Sequence, residues 1–304
     1  MKTIVTGASG NFGRAAVRGL LERMPLHDLI LVTRNPLKLG DLRSQRAEVR
    51  HGDFDDPASL RSAFVGGEQM LLISALKVGF RIPQHRNAIE AAVAAGVSHI
   101  AYTSYVGTGG DNDVSLAVRD HRATEKMLQE SGIPWTVLRN SQYADAVVEA
   151  IAPAVLKTGR WVSSSGEGRI AVVTRKDCVN CAVEVLSREG PKNRVYDITG
   201  PHLLSYRQMS VILGEICGKP VEFIDVDDAG MYAYFDSLGI PREAIPDQSV
   251  GGVPWSSDDM VSVERAIREG QMEVISNDVQ ELTGHSPQSL RALAQERRDW
   301  LRSL

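Results

Sequence analysis

The first thirteen residues contain the feature that most constrains the fold. An apolar run from Ile4 to Thr6 leads into glycines at Gly7, Gly10 and Gly13, and a helical pattern follows at once. A dinucleotide pyrophosphate requires this order, because glycines let the backbone approach the phosphates and a helix start presents free N–H groups. The glycines alone could form an ordinary turn, but the flanking strand and helix favour a nucleotide site.

The end of the second apolar run indicates which nucleotide is bound. A strand is predicted from Leu29 to Val32, and Arg34 and Lys38 follow it without an acidic residue at the strand end. Sites that prefer NAD place Asp or Glu there to accept from the ribose hydroxyl, whereas cations suit a 2′-phosphate. A solvated basic loop is the alternative. We expect NADP(H) to be preferred over NAD(H).

Composition excludes several classes of function. The 304 residues are 43% hydrophobic and 24% charged, with a net charge of −4, which gives no general attraction to nucleic acid or to an anionic membrane. No apolar run has membrane-spanning length, and no signal peptide precedes the first strand. Three cysteines do not form an even disulfide framework. We therefore expect a cytoplasmic protein, a monomer or homodimer, without a metal site.

Strand and helix patterns alternate through about the first 140 residues. Asp56 and Pro57 are expected to open one helix, and another is predicted from His121 to Gly132. This succession predicts an α/β fold with a Rossmann-type, doubly wound parallel sheet. The predicted strands after the first lie near residues 29–32, 49–54, 70–74, 100–104 and 135–138.

Ligands of such sheets bind beyond the carboxyl ends of the strands, so the residues there are candidates for the cofactor site. Asp53 and Phe54 are expected to border the adenine, and Ser74, Ala75 and Leu76 the ribose and nicotinamide. Each could instead be a turn residue at a strand end. The strand-end candidates are Gly7, Arg34, Asp53, Ser74, Ser104 and Asn140.

The pattern changes after residue 146. A small hairpin is predicted from residues 160–162 and 166–169, and a helix from Asp177 to Leu186 and a strand from Val195 to Ile198 are expected to return to the sheet. We expect a dinucleotide-binding domain over residues 1–146, to which residues 170–200 return. Residues 147–304 would form mainly a smaller α+β domain that binds substrate beside the cofactor.

Two further motifs favour ordinary structural roles. Cys178 and Cys181 form a C-x-x-C, but no second Cys/His pair accompanies them, and Asp177 is predicted to cap the helix that contains both. A C-terminal basic cluster alternates with apolar residues, which predicts an amphipathic helix with a solvated basic face. The cluster consists of Arg291, Arg297, Arg298 and Arg302, and the apolar residues are Leu290, Leu293, Trp300 and Leu301.

Four segments together carry a family resemblance: TGASGNFG, VTRNPLK, HGDFDDPASL and HRATEKMLQESGIPWTVLRNSQY. They resemble the NmrA-like group of atypical short-chain dehydrogenases/reductases, nearest to bacterial NADPH quinone reductases and triphenylmethane reductases. The resemblance implies a Rossmann domain that prefers NADP(H). It places Arg34 at the 2′-phosphate, and Thr103, Ser104 and Tyr105 beside the nicotinamide. It also implies that the pyrophosphate is held by the glycine loop, here Gly7, Ser9, Gly10, Asn11, Phe12 and Gly13.

The chemistry departs from that of ordinary short-chain dehydrogenases, because no tyrosine has a lysine four residues later. In the related aromatic ether reductases a lysine opens the helix at the position of His121. We therefore expect hydride transfer from NADPH to an acceptor that is already electrophilic, such as a quinone or a cationic conjugated aromatic. His121 could donate a proton or a hydrogen bond, or could be a structural histidine that bonds a carbonyl at a helix start.

The remaining site residues are aromatic or amide side chains. Tyr105 could orient the acceptor beside Asn140, and we expect the substrate to contact Tyr143, Tyr232 and Phe235. Two alternatives stay open. A non-catalytic NADP(H) sensor of the NmrA type would need the same glycine loop, and a reductase of aromatic ethers or ketones is weakened by the histidine in place of lysine.

Overall fold

The computed structural model describes residues 1–110, 114–245 and 256–304. Its centre is a parallel seven-stranded sheet in the order β3-β2-β1-β4-β5-β6-β9, which confirms the predicted Rossmann-type sheet. The strands are β1 (Thr3–Val5), β2 (Leu29–Thr33), β3 (Glu48–His51), β4 (Gln69–Leu72), β5 (His99–Tyr105), β6 (Trp135–Asn140), β7 (Arg160–Ser163), β8 (Arg169–Ile170), β9 (Arg194–Ile198), β10 (Leu204–Ser205) and β11 (Glu222–Asp225).

Helices surround this sheet and make up most of the C-terminal part. Short 3₁₀ segments at Leu26–Asp28 and Pro36–Leu39 and a π-helical turn at Val147–Ile151 join them. The α-helices are α1 (Asn11–Leu21), α2 (Gly40–Ser44), α3 (Pro57–Phe64), α4 (Arg81–Ala94), α5 (Leu116–Glu130), α6 (Ala144–Ala146), α7 (Ala152–Thr158), α8 (Arg175–Ser187), α9 (Tyr206–Cys217), α10 (Asp228–Ser237), α11 (Ser257–Arg268), α12 (Asp278–Thr283), α13 (Leu290–Glu296) and α14 (Arg298–Arg302).

The sheet is covered on both faces because its side chains alternate. Val5 and Leu31 point to one face, where they pack with α1 and α8. Ile4 and Ile30 point to the other, where they pack with α3, α4 and α5. Strand β9 pairs with β6, so the predicted return of the chain to the sheet is confirmed.

The helix starts agree with the sequence in one case and differ in two. Asp56 accepts from the N–H groups of Ala58 and Ser59, and so caps α3 as predicted. Helix α5 begins at Leu116 with Ser115 as its cap, so the prediction that it opens at His121 was wrong. Helix α8 is capped by Thr174 and not by Asp177, because the hydroxyl oxygen of Thr174 accepts from the Asp177 N–H.

The predicted hairpin at residues 160–169 was wrong. Strand β7 pairs in parallel with β11, and β8 pairs antiparallel with β10. Both partners lie further along the chain, so a local pattern could not identify them. These small sheets pack with α7, α9 and α11 around a separate apolar core. The assignment of this region to a substrate-binding domain stays a prediction.

The C-terminal basic segment forms two short helices, α13 and α14, not one. Leu290, Leu293 and Leu301 are buried as predicted, whereas Trp300 is exposed. The basic face is partly engaged, since Arg291 pairs with Glu215 of α9. Among the described residues, no helix has both the length and the apolarity needed to cross a membrane.

Candidate active site

The glycine loop forms a tight cradle between β1 and α1. Gly7 has a φ of +58°, a backbone conformation that glycine adopts without strain. A Cβ on Gly13 would lie 2.3 Å from the carbonyl oxygen of Gly7, so only glycine lets the helix start so close to the loop. No side chain caps α1 after Gly10, which leaves the N–H groups of the first turn available to an anion.

The other residues of this loop divide their roles. The hydroxyl groups of Ser9 and Thr33 are hydrogen-bonded at 2.7 Å, which ties the loop to the end of β2. Asn11 is exposed at the start of α1, whereas the Phe12 ring is buried in the core. Phe12 therefore offers a ligand its backbone and not its ring.

Two unpaired cations follow β2. Arg34 and Lys38 are exposed, and neither side chain makes a hydrogen bond or ion pair with the described residues. Asn35 caps the 3₁₀ segment that contains Lys38, and Arg14 of α1 reaches the Lys38 carbonyl and Asp41. The segment is therefore held in place while its two cations remain free for a phosphate.

The residues expected at the adenine lie after β3. Asp53 accepts from the N–H of Asp55 through its carboxylate, and its own N–H donates to Ser59. The Phe54 ring is half-buried and meets the His85 ring edge to face, with centroids 6.0 Å apart. Asp53 therefore stabilises the turn after β3, which is the structural role considered above as the alternative to cofactor binding.

The loop after β4 is fixed by side chains from other elements. The N–H of Ser74 donates to Thr103, and the N–H of Ala75 donates to Nε2 of His85, both at 2.9 Å. Arg81 donates from Nε to the Ala75 carbonyl at 2.7 Å and also reaches the Leu76 carbonyl. The Leu76 side chain is 67% exposed, so the loop presents an apolar surface on a rigid backbone.

Thr103 and Ser104 point to opposite sides of the sheet, as neighbours on a strand must. Ser104 donates to Glu125 at 2.6 Å, and Glu125 also accepts from Thr108 and from two nitrogens of Arg139. The Glu125–Arg139 pair is buried. The hydroxyl of Ser104 is thus engaged in a structural network, whereas Thr103 faces the loop after β4.

His121 lies in the second turn of α5 and is fully enclosed. Its Nδ1 is 2.7 Å from the hydroxyl oxygen of Tyr102, and its ring lies between those of Tyr102 and Tyr105 at centroid distances of 5.8 and 6.0 Å. Burial, together with the charge of Arg81, lowers the pKa of His121 well below its ordinary value. Burial therefore favours the neutral form of His121. The residue does not start the helix, and within the described residues its ring bonds the Tyr102 hydroxyl and no carbonyl.

Asn140 ends β6 with an unpartnered acceptor. Its Nδ2 donates to the Tyr143 hydroxyl at 3.4 Å, while its Oδ1 is buried without a hydrogen bond. Buried polar atoms are nearly always satisfied, so a donor from a ligand is the natural partner. Tyr143 packs against the core on the α1 side and lies under Arg175.

Tyr232 and Phe235 lie on α10, apart from these strand ends. Phe235 is buried in a small cluster with Met231, Ile240 and Val261. Tyr232 is half-buried, with the Arg242 guanidinium 4.1 Å from its ring centroid. Their contact with a substrate stays a prediction.

The strand ends fit a dinucleotide. A backbone cradle, two free cations and one unpartnered amide oxygen all lie at the carboxyl edge of the sheet, spread from β2 across β1 to β6. This is the edge at which doubly wound sheets bind nucleotides.

Comparison with known proteins agrees with this geometry. Residues 7–189 match the NAD(P)H-binding family, which is more than half of the chain. The chain belongs to this family. Quinone oxidoreductase 2 of Escherichia coli is 38% identical over 250 residues, which cover 81% of this chain and 86% of that protein.

Two solved structures share the whole fold with this NAD(P)H-binding protein. The NADPH complex of Escherichia coli quinone oxidoreductase QOR2 has a TM-score of 0.86 at 34% identity and covers 98% and 99% of the two chains. The Citrobacter sp. triphenylmethane reductase with NADP(H) has a TM-score of 0.84 at 31% identity and covers 97% and 99%. These matches confirm the NmrA-like resemblance and an NAD(P)H-binding reductase.

The sequence analysis did not single out several polar residues that lie around His121 and the loop after β4. Arg81 and His85 begin α4, Asp120 lies beside His121, and Asp259 lies in the first turn of α11. Each resembles an ordinary helix residue when the chain is read locally. For Ser104, by contrast, the sequence contains a usable signal. Neighbouring residues of a strand point to opposite faces of the sheet, so Ser104 and Thr103 could not both face the cofactor.

The C-x-x-C motif has no redox geometry. Cys178 and Cys181 are free and buried on α8, and burial raises the pKa of both thiols. Thiols of this kind are inert core residues.

Proposed function

We propose that this protein is an NADPH-dependent reductase that passes hydride to a quinone or another electrophilic conjugated aromatic. The observation that carries the proposal is the pair of free cations, Arg34 and Lys38, at a strand end that lacks an acid. They favour NADPH over NADH. The names of the relatives, quinone oxidoreductase and triphenylmethane reductase, support the acceptor class.

The residues present would hold the cofactor along the carboxyl edge of the sheet. The loop from Gly7 to Gly13 would bind the pyrophosphate, Arg34 and Lys38 the 2′-phosphate, and Asp53 and Phe54 the adenine. Toward the nicotinamide we propose Thr103 and Asn140, together with the loop that contains Ser74, Ala75 and Leu76. When bound, NADPH supplies a hydride, that is, two electrons with one proton.

The chain itself positions the acceptor and excludes water. A neutral His121 between two tyrosine rings is a poor proton donor, so we propose that it positions Tyr105 through ring packing. The exposed apolar side chain of Leu76 and the ring of Tyr105 offer contact area to a flat acceptor. Positioning of this kind suffices for hydride transfer to a cationic acceptor, and it is the first requirement for transfer to a neutral quinone.

Acceptor-dependent oxidation of NADPH and NADH by the purified protein tests the proposal. The wild type should oxidise NADPH with quinones and triarylmethane dyes, and at lower efficiency NADH. Arg34→Ala should lower kcat/KM for NADPH about 10- to 100-fold, as expected for a lost charged contact of about 1.5–3 kcal/mol, and leave NADH unchanged. Arg43→Ala is the matched control, since Arg43 is an exposed arginine on the adjacent helix α2.

The outcomes separate the alternatives. Tight NADPH binding without oxidation by any acceptor would contradict the reductase and favour a sensor. Equal losses for NADPH and NADH in Arg34→Ala would show that Arg34 does not contact the 2′-phosphate.

A further inference from the structure

Three charged side chains from distant parts of the chain surround the acceptor end of the site. Arg81 starts α4, Asp120 lies in α5, and Asp259 lies in α11. Burial raises the pKa of both carboxyl groups, and the charge of Arg81 partly opposes this rise. The charge of Asp120 raises the pKa of Asp259 further. None of the three belongs to the glycine loop or to the dinucleotide edge.

Asp259 faces the start of α5. Ser262 lies one helical turn further along α11, on the same face, and its hydroxyl oxygen accepts from the N–H of Leu116 at 3.1 Å. Burial, together with the charge of Asp259, raises the pKa of Tyr105, whose ring packs on His121. Helix α11 therefore brings this carboxyl group to the end of β5, where the acceptor is proposed to bind.

Within the part of the chain that the structure describes, only one of the two carboxyl groups accepts a side-chain hydrogen bond. Oδ2 of Asp120 accepts from the N–H of Gly79 at 2.7 Å and so helps to hold the loop after β4. Oδ1 of Asp259 is buried and has no hydrogen-bond partner. Burial raises the pKa of Asp259 to about 6. A buried carboxyl group without a partner carries a proton more readily than one that accepts hydrogen bonds.

We propose that Asp259 is the acid that protonates the reduced quinone, an inference that rests on the reductase function proposed above. Hydride transfer turns NADPH into NADP⁺ and the neutral quinone into a hydroquinone monoanion. As negative charge develops on the quinone oxygen, the O–H bond of Asp259 breaks and a new O–H bond forms on that oxygen. The carboxylate later regains its proton from water. A triarylmethane cation needs no such step, because hydride alone converts it into a neutral product.

Several other ionisable groups on or beside α11 are engaged with partners of their own. Asp228 of α10 pairs with Arg265 and Arg268, and Arg169 of β8 pairs with Glu273. On α11 itself, Glu264 accepts from Ser163 and Ser164. Among the described residues, the ionisable groups that interact electrostatically with Asp259 are Arg81, Asp120 and Tyr105.

The two acceptor classes give an internal control for Asp259→Asn. The variant should lower kcat/KM for a neutral quinone about 100-fold, at the low end of the contribution of a general acid. It should leave kcat for a saturating triarylmethane cation unchanged. For the wild type, quinone reduction should slow as the pH rises above about 6, while Asp259→Asn should show no such decline.

Two more variants separate chemistry from structure. Asp258→Asn removes a carboxylate from the same first turn of α11 and should leave quinone reduction intact. Asp259→Glu keeps a proton donor and should recover part of the lost rate. Equal losses with quinone and dye, or an unchanged quinone rate in Asp259→Asn, would overturn the inference while the reductase function stood.

Failure of the proposed function would look different. If the wild type reduces neither acceptor, both the function and the role of Asp259 are wrong. If it reduces the dye but no quinone, the proposed hydride transfer is supported and the proposed protonation of a quinone by Asp259 is wrong.

Thermal unfolding tests Asp259 without substrate. Its folded pKa of about 6 lies above the ordinary 3.8, so the folded state holds the proton more tightly, and stability is lost as the pH rises from 3.8 to 6. Asp259→Asn should therefore gain Tm relative to the wild type at pH 7.5 and not at pH 4. The same difference at both pH values would contradict a protonated Asp259.

Discussion

The proposed cofactor end and the proposed acceptor end of this site differ in what forms them. The cofactor end consists mainly of backbone, where Gly7 and Gly13 bring a helix start close to a strand end. The acceptor end consists of buried side chains from three helices and two strands, joined by hydrogen bonds around Tyr102, His121 and Arg81. A site built from backbone requires residues without a side chain, such as glycine. A site built from side chains requires several interacting residues to be present together.

The largest expected effect is in the buried side-chain network of Glu125, which lies on α5 beside the proposed acceptor end. Glu125→Gln leaves the buried Arg139 without its partner and weakens four hydrogen bonds. We expect the free energy of unfolding in urea to fall by about 3–5 kcal/mol. Glu130→Gln on the same helix, where Glu130 forms an exposed pair with Lys126, should cost less than about 0.5 kcal/mol. Similar costs for both variants would contradict a side-chain-built acceptor end.

Gly13→Ala should disrupt the glycine loop that is proposed to bind the pyrophosphate. Its Cβ would overlap the Gly7 carbonyl oxygen and the Ala8 Cα, so the cradle must open. We expect NADPH to bind about 100-fold more weakly, which corresponds to about 3 kcal/mol, in a fluorescence titration. Gly40→Ala is the control, since nothing lies within 4 Å of a Cβ there. Unchanged affinity in Gly13→Ala would mean that the pyrophosphate lies elsewhere.

The smallest effect concerns pH. Burial lowers the pKa of His85 to about 3. Near pH 6.5 the unfolded chain therefore binds a proton at this histidine and the folded chain does not. The free energy of unfolding falls as the pH drops below 6.5. Between pH 6.5 and 5 this costs about 1.6 kcal/mol. His85→Gln should flatten this slope in urea titrations. His27→Gln, at a side chain 82% exposed, should not, and an unchanged slope in His85→Gln would refute the argument.

The contrast also explains how much could be predicted from the sequence. Short contiguous patterns predicted the parallel sheet and the glycine cradle around Gly7 and Gly13. The lack of an acidic residue at the end of β2, next to Arg34, could likewise be seen in the sequence. Val195–Ile198 was also predicted as a returning strand, from its apolar residues.

The acceptor end could not be predicted in this way. Arg81, Asp120 and Asp259 are far apart in sequence, and each is a common residue type near a helix start. His121 was singled out, but its partner Tyr102 lies on a strand, and only the fold shows that the ring is enclosed. The start of α5 was misplaced for a related reason, because Ser115 lies before a run with little local signal.

Strand β9 has a consequence for how this chain is made. The β6 edge of the sheet is covered only when residues 194–198 arrive, and helix α8, which packs on α1, precedes them. On the ribosome, 198 of the 304 residues must therefore be synthesised before the core between the sheet, α1 and α8 is complete. Until then the nascent chain presents an open strand edge, the kind of surface that invites aggregation and chaperone binding.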